Sequence, residues 1–528
     1  MHPAAAYHHA TKHHFNRFAR SLGYLDWSTQ PDPFRRYQGA ALFELPRRPL
    51  VDAVLYPALF DGSAPRLPVD DHSIGEFLRC SMGLSAWKEY GAARWALRVN
   101  PSSGNLHPTE TYVIWNGRVC HYAPREHALE QRCELAPREP RPVPGDGFLV
   151  ALTSIHWREA WKYGERAFRY CQHDAGHAIG ALRLAAAMLG WKMQLLPRWS
   201  DDQIATLLGV ARDQDYGPAE REEVECIAVV TPGDPAALAG EDPAGLVEAA
   251  TKGTWHGKAN QLSADHADWP LIDQVATATR YPAPDEPTLE PSHLRTLGRT
   301  VAPSHPHTIA PLSARQVIVS RRSAVSFDPR GVLTRDAFLA MLRRLDPGAP
   351  PFDAIDWPPQ VHLAVFVHRV EDLAPGLYAY LRESAVVDEW KAAMRPEFLW
   401  EPVDEGLFLL VPADVRQTAN RVSCDQDIAA DGFFSLGMIA RFEQPLRERG
   451  DWFYRRLFWE SGLVGQVLYL EAEAAGGRAT GIGCYYDDPV HDLLGLTGHA
   501  WQSLYHFSMG VPVEDTRLST EAGYAWEE

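Results

Sequence analysis

A chain of 528 residues, 45% hydrophobic and 23% charged, is long enough to bury sizeable cores in roughly two to four domains. Its formal net charge of −17 opposes non-specific binding to nucleic acid, because a phosphate backbone would be repelled. Any phosphate the chain holds must meet a local cluster of arginines.

The N-terminus, Met1 to Tyr7, lacks a basic stretch followed by a long apolar one, so no signal peptide is expected. No run approaches the roughly 20 apolar residues that span a bilayer, and a cytoplasmic location is expected, with no membrane partner. The histidines of Tyr7–His14 lack carboxylate or cysteine partners at defined spacing, so an exposed polar helix is expected there, not a metal site. The seven cysteines, at 80, 120, 133, 171, 226, 424 and 484, form no CxxC pair, which argues against a zinc knuckle or a thioredoxin-type site. Residues 1–70 are irregular and proline-bearing and are expected to wrap a first domain at 71–235.

Within that domain, Arg98-Val99-Asn100-Pro101-Ser102-Ser103-Gly104-Asn105-Leu106-His107-Pro108 leads into a strand beginning near Thr111. Two hydroxyls, a glycine and an asparagine make a compact donor and acceptor set for a planar polar ligand, or a helix cap. A strand at Arg118–Tyr122 follows. A long helical pattern then runs from Trp161 to Leu189, with Lys162 and Tyr163 at its start and Gly190 as its stop. Leu207-Leu208-Gly209 and a strand-like run at Cys226–Val230 complete the domain.

A proline-rich and acidic stretch, 236–310, reads as a connector with a helix near Leu271–Thr279. Gly253-Thr254-Trp255-His256-Gly257-Lys258 is one residue short of a P-loop and is followed by Ala259, so it is set aside. The same succession then returns over 311–528: Pro375–Tyr380 as a strand, Trp452 to Ala475 as a long helix with Gly476 as its stop, Leu493-Leu494-Gly495, and Leu504–Ser508 as a strand. Such a domain-scale repeat predicts an α+β protein of two related halves packed together. Two further motifs fall in the second half. Ser320-Arg321-Arg322-Ser323 suits a phosphate, through forked guanidinium donors and short hydroxyls, or a solvated basic turn. Gly481-Ile482-Gly483 would let backbone amides approach a flat ring, or mark a tight turn, and lacks the third glycine of a dinucleotide fingerprint.

Taken in this order, the Pro-Ser-Ser-Gly-Asn-Leu-His-Pro, Arg-Arg-Ser and Gly-Ile-Gly runs resemble the nitroreductase superfamily. The likeness is nearest to its SagB/ThcOx-type dehydrogenases, and it covers roughly 70–235 and 310–517. The resemblance implies a nitroreductase-like FMN-dependent fold whose two halves form an intramolecular pseudo-dimer. It implies FMN contacts at Arg321, Arg322, Ser323, Gly481, Ile482, Gly483 and Arg517 from the second half. Ser102, Ser103, Gly104 and Asn105 would come from the first. Lys162-Tyr163 matches a pair that the resemblance links to proton removal; a lysine can serve as base if desolvation lowers its pKa, and the alternative is a surface lysine beside a core tyrosine.

The reciprocal site is expected to be dismantled. Gln194-Leu195-Leu196-Pro197 stands where Gly-Ile-Gly would be, and Arg35 and Arg36 are displaced from the arginine position. One FMN is therefore expected, in an oxidoreductase acting on a small molecule or a peptide, with NAD(P)H as a candidate electron donor. The alternatives are an azoline-to-azole peptide dehydrogenase and a non-catalytic flavin-binding subunit of a peptide-modifying complex.

Overall fold

The computed structural model describes residues 2–137, 146–236, 243–282 and 312–527. Part of the expected proline-rich connector, including Ala283–Pro287, lies outside the described residues.

A short helix, α1 (Pro3–Ala10), opens the chain. Strands β1 (Thr109–Trp115), β2 (Arg118–Ala123) and β3 (Ala128–Glu134) form an antiparallel meander. The β1–β2 turn is Asn116-Gly117 with φ of 49° and 74°, the left-handed pair that a two-residue hairpin needs. Next come β4 (Phe148–Ser154), α2 (His156–Tyr163), α3 (Ala167–Met188), β5 (Lys192–Leu195), α4 (Asp201–Leu208) and β6 (Glu223–Thr231). In the second half stand β7 (Val361–Val367), β8 (Gly376–Tyr380), β9 (Leu407–Pro412) and β10 (Phe434–Arg441). They are followed by α5 (Phe453–Ala474), β11 (Arg478–Ile482), α6 (Asp487–Leu494) and β12 (Trp501–Gly510).

The two sheets share one antiparallel order. The first runs β3-β2-β1-β4-β6-β5 and the second β9-β8-β7-β10-β12-β11. Side chains alternate between the faces of each strand, as a period of two requires. Val113, Val150 and Val230 of the first sheet, and Leu363, Val365 and Met438 of the second, face one shared core around α3 and α5. Ile114, Ala151 and Val229 face a separate core with α4, while Ala364, Phe366 and Ile439 face a third with α6. α4 and α6 both end on a left-handed glycine, Gly209 (φ 74°) and Gly495 (φ 81°).

The centre is the crossing of α3 and α5, each 22 residues long and buried nearly all round, as an interior helix must be. They meet glycine against glycine. A Cβ on Gly176 would lie 2.3 Å from the Trp459 carbonyl oxygen, and one on Gly462 2.4 Å from that of His173. Only glycine allows backbones this close.

Three expectations are corrected. The helix expected without a break from Trp161 is interrupted at Gly164 (φ 55°), where a Cβ would sit 2.3 Å from the Arg20 carbonyl oxygen; the passing N-terminal arm imposes the bend. The helix that opens that arm is also not simply exposed, while further along Ala41–Glu44 pairs with β3 of the first half. Tyr7, His8 and His13 are buried, and the arm is held by the second half through the Ala4 amide on Asp451 and Lys12 on Asp488. Thr254–Trp255, inside the supposed connector, pairs with β3, so this stretch extends the first sheet; the helix expected near Leu271 is present at Pro270–Ala278. At the other end of the chain, Ser519–Ala522 pairs with a first-half strand, Leu84–Tyr90. Among the described residues, no helix is long and apolar enough to cross a membrane.

Candidate functional site

The segment 98–108 arches before β1. Ser103–Asn105 makes one 3-10 turn, and Gly104, Asn105 and His107 take φ of 60°, 59° and 51°. Left-handed backbone at a non-glycine residue costs roughly 1–3 kcal/mol and persists only where neighbours over-determine it. Here they do. The His107 amide donates to Ser102 Oγ (2.8 Å), Asn105 Nδ2 donates to the Ala96 carbonyl (2.9 Å), and the His107 ring meets Asn105 Oδ1 (2.9 Å). The Ser103 amide and hydroxyl both donate to Asp174 of α3, each at 3.0 Å. The helix-cap reading of this run is not met, because Ser102 makes no side-chain cap.

Arg321 and Arg322 approach the arch from the second half. Arg321 donates to the carbonyls of Val99 and Arg98, both at 3.0 Å. Arg322 donates to those of Val319 and Arg321, both at 2.7 Å, and to that of Ser85 at 2.8 Å. Among the described residues neither guanidinium forms an ion pair. Burial, and then the charge of Arg321, hold the Arg322 pKa down to about 10; burial lowers that of Arg321 as well. Arg321 is buried and Arg322 half-buried, and two adjacent cations with no carboxylate in direct contact among the described residues form a place that an anion would stabilise. Ser323 is docked on β11, bridging to Ala479, and its hydroxyl lies 3.0 Å from that of Tyr469. Tyr469 also accepts the Gly481 amide at 2.9 Å.

These residues surround a cavity of about 370 Å³, within the size of ordinary small-molecule sites, roughly 300–1,000 Å³. Its lining draws Ser102–Asn105, Tyr163, Tyr170, Asp174 and His177 from the first half, and Arg321–Ser323, Tyr469, Gly481–Gly483 and Tyr505 from the second. Asn100 Oδ1 and His107 Nδ1, also at this wall, are buried without a hydrogen-bond partner among the described residues. Such orphaned atoms in a polar cavity await a ligand or water.

The glycines of Gly-Ile-Gly are required here by tyrosine. A Cβ on Gly481 would lie 2.0 Å from Tyr505 Oη, and one on Gly483 2.2 Å from the Tyr170 ring. Tyr505 in turn stacks on His173, with centroids 4.0 Å apart.

Lys162 and Tyr163 close α2 directly over Gly104, where a Cβ would meet Tyr163 Oη at 2.6 Å and Lys162 Nζ at 3.1 Å. Tyr163 lines the cavity, and burial raises its phenol pKa well above the usual value. Lys162 is exposed at the rim. Below the arch lie two buried carboxyls. Burial raises Asp174 to about 7, against the opposing hydrogen bonds of Ser102 and Ser103. Glu159 is raised further, by burial and by the nearby Asp174 charge. A carboxyl near 7 beside a cavity is suited to proton transfer.

Of the residues read from sequence, Arg517 is not brought to this cavity. It is exposed and paired with Asp515 at 2.7 Å, because the chain after β12 turns outward toward Ser519–Ala522. Asn100, His107, Tyr170, Asp174 and His177 were missed. The spacing of 170, 174 and 177 sets three polar residues on one helix face, which was the available signal.

The counterpart place after β5 is filled. Leu195, Leu196 and Pro197 stand where β11 is followed by its glycines, and Trp459, Trp452 and Tyr281 close on them, leaving about 20 Å³. Arg455, ion-paired with Asp201, lies there too. Arg35 and Arg36 are engaged elsewhere, with Glu222 (3.3 Å) and Glu130 (2.7 Å).

Residues 68–218 match the family model described as Nitroreductase family. That span holds the arch, Lys162-Tyr163, Asp174 and His177. No curated protein matches the chain. Among solved structures, one from Anabaena variabilis described as a nitroreductase is similar over 97% of this chain and 100% of its own, at 19% identity and a TM-score of 0.70. A nitroreductase-type structure from Ralstonia eutropha covers 38% of this chain and 95% of its own, at 14% identity and a TM-score of 0.26. A chain of the E. coli microcin synthetase McbBCD complex covers 44% and 85%, at 18% identity and a TM-score of 0.28. The protein therefore has a nitroreductase-like α+β fold along nearly its whole length, with residues 68–218 matching a family whose members are oxidoreductases.

Proposed function

We propose that the protein is an FMN-dependent oxidoreductase of nitroreductase type, in which the two halves act as a fused dimer holding one flavin between them. The observation that carries this reading is the composite cavity. Its cationic pair, Arg321 and Arg322, comes from one half and its braced arch from the other, while the counterpart place is packed shut. The donor set suits the group: two unpaired guanidiniums for a phosphate, tyrosine faces and strand backbone for a planar ring, and orphaned polar atoms along the wall.

When bound, FMN would supply the two-electron redox chemistry, leaving binding, orientation and electrostatics to the chain. Arg321, Arg322 and Ser323 would hold the phosphate. Gly481–Gly483 and Ser102–Asn105 would border the ring. Asp174, near 7, holds a proton that it can give or take at working pH, and Tyr163 is a neutral donor beside it. Lys162, exposed at the rim, would meet the desolvation that a lysine base needs only once a substrate covers it over Gly104. That arrangement favours a substrate that itself loses a proton, such as an azoline ring in a peptide, over a simple acceptor reduced by NAD(P)H.

The test is flavin stoichiometry on the purified protein. One FMN per chain is expected, with loss in Arg322→Ala and Ser103→Ala. Two flavins per chain, or full retention in both variants, would sink the composite-site reading. Anaerobic mixing with NADH and with NADPH then separates the electron donors. Bleaching of the bound flavin supports a nicotinamide donor, and its absence with both points to the substrate as donor or to a non-catalytic role.

A further inference from the structure

His13, Cys424 and Cys484 are far apart in sequence and meet in space. Their ligand atoms all lie within 4.8 Å of one another, with the two sulfurs 2.8 Å apart and His13 Nδ1 3.8 Å from Cys484 Sγ. The histidines of the N-terminal arm have no cysteine or carboxylate partner at a defined spacing in sequence; the fold supplies two cysteines to one of them.

Each of the three residues is held from behind. The His13 amide donates to Asp487 Oδ2 (2.8 Å), and the Asp487 amide donates back to the His13 carbonyl (3.0 Å), so the arm is clamped to the start of α6. Asp487 is itself fixed by Arg166 and Arg169. Cys424 and Asp425 take left-handed φ of 57° and 56°. Gln426 bridges that turn to the end of β11, donating to the carbonyls of Ser423 (2.7 Å) and Cys484 (2.9 Å). His13 is buried and both cysteines are half-buried; Cys484 directly follows Gly483 and lines the cavity.

We propose that His13, Cys424 and Cys484 form a binding site for a thiophilic divalent cation such as zinc, joining the N-terminal arm to the cavity wall. The donor set is the kind such ions take, one imidazole and two thiolates with the fourth position left for a solvent or ligand atom. Two thiolates and one divalent ion cancel in charge, so the half-buried site becomes neutral on binding. Tetrahedral geometry, with metal–sulfur bonds of about 2.3 Å and metal–nitrogen bonds of about 2.0–2.1 Å, sets donor atoms roughly 3.5–3.8 Å apart. The His13–Cys484 spacing already meets this. The sulfurs must part by about 1 Å, while up to two thiol protons are released.

The full-length protein, purified under reducing and oxygen-free conditions, is titrated with cobalt(II) as the probe and then with zinc(II). Expected are one equivalent per chain, tetrahedral d–d bands with thiolate-to-cobalt charge transfer, and displacement of cobalt by zinc. Cys424→Ser and Cys484→Ser should abolish the charge-transfer signal. His13→Ala should weaken binding at least tenfold, with folding of each variant checked by circular dichroism. His13→Cys, a substitution that keeps a ligand, should restore one equivalent with stronger charge transfer. The proposal is overturned by cobalt binding without thiolate bands, by equal binding in the cysteine variants, or by wild-type protein that binds less than a tenth of an equivalent. In the last case, a mass lower by two hydrogens would show Cys424 and Cys484 to be a disulfide, and two titratable thiols would show an idle pair. No arm of the experiment uses flavin, so its failure leaves the flavin reading untouched.

Discussion

Two residues before each crossing glycine stands a buried carboxylate, Asp174 on α3 and Glu460 on α5. Each accepts backbone amides from the segment leading into the equivalent strand of its sheet: Ser103 before β1, and Gln360 with Val361 at the start of β7. The difference lies in the counterion. Glu460 is locked to Arg382, whereas Asp174 has only serine and backbone donors. On the Glu460 side the chain docks flat and the nearby space is filled. On the Asp174 side the chain arches through left-handed residues and leaves a cavity. One scaffold thus yields a packed corner and an open one, depending on whether the helix carboxylate meets a cation or a loop.

Mutations can break this comparison from either side. The largest expected effect is on the filled side. Asp201→Asn leaves Arg455 in a buried position with only Glu225, at 3.6 Å, as counter-charge, so a loss of about 3 kcal/mol in urea unfolding, the low end for a broken buried pair, is expected, with flavin per folded chain unchanged. If flavin content falls with it, the two corners are coupled and the comparison fails. Gly462→Ala forces a methyl against the His173 carbonyl; a loss of about 1–3 kcal/mol is expected, together with weaker flavin binding, since both corners hang on this crossing. Arg322→Ala should weaken flavin binding by about 1.5–3 kcal/mol, the worth of a charge-assisted hydrogen bond. Arg36→Ala, at an arginine held by Glu126 and Glu130 away from both corners, should leave the flavin Kd where it was, as read by fluorescence titration.

A pH measurement sharpens the contrast. Asp174 titrates near 7 when folded and near 3.8 when unfolded, so the folded state holds the extra proton between these values. Its contribution to stability is present below about pH 4 and is lost as pH rises through 7. Asp174→Asn should remove that part of the decline in Tm, and an unchanged slope would show that the carboxyl is not the titrating group. The smallest effect is expected at Arg517→Ala, a surface pair whose loss should stay within about 0.5 kcal/mol and leave flavin content intact. A drop in flavin there would restore Arg517 to the site.

Much of this was legible in the sequence because it is local and periodic. The α5 pattern from Trp452 to Ala475, the Leu-Leu-Gly stops and the strand runs near Cys226 and Leu504 all report on residues that touch their chain neighbours. Ten of the eleven residues expected to bind flavin line one cavity, because each motif folds as a short self-braced unit. What escaped depends on distant chain. The bend at Gly164 is imposed by Arg20, the burial of His8 and His13 by the second half, and the reach of Arg517 by the return of the C-terminus. A further steric demand at Gly481 and Gly483 also escaped, since Tyr505 and Tyr170 approach from another strand and another helix.

The crossing of the two chain ends has a consequence for how such a protein can be divided. The first residues brace α6, and Tyr524 and Glu527 near the last reach the Pro124 carbonyl and Arg79 of the opposite half. Order along the chain and order in space therefore disagree at both termini. Any single cut between the sheets would strip each piece of a terminal arm that belongs to the other. The unit that folds, and that recombination could move intact, is the whole interlaced chain.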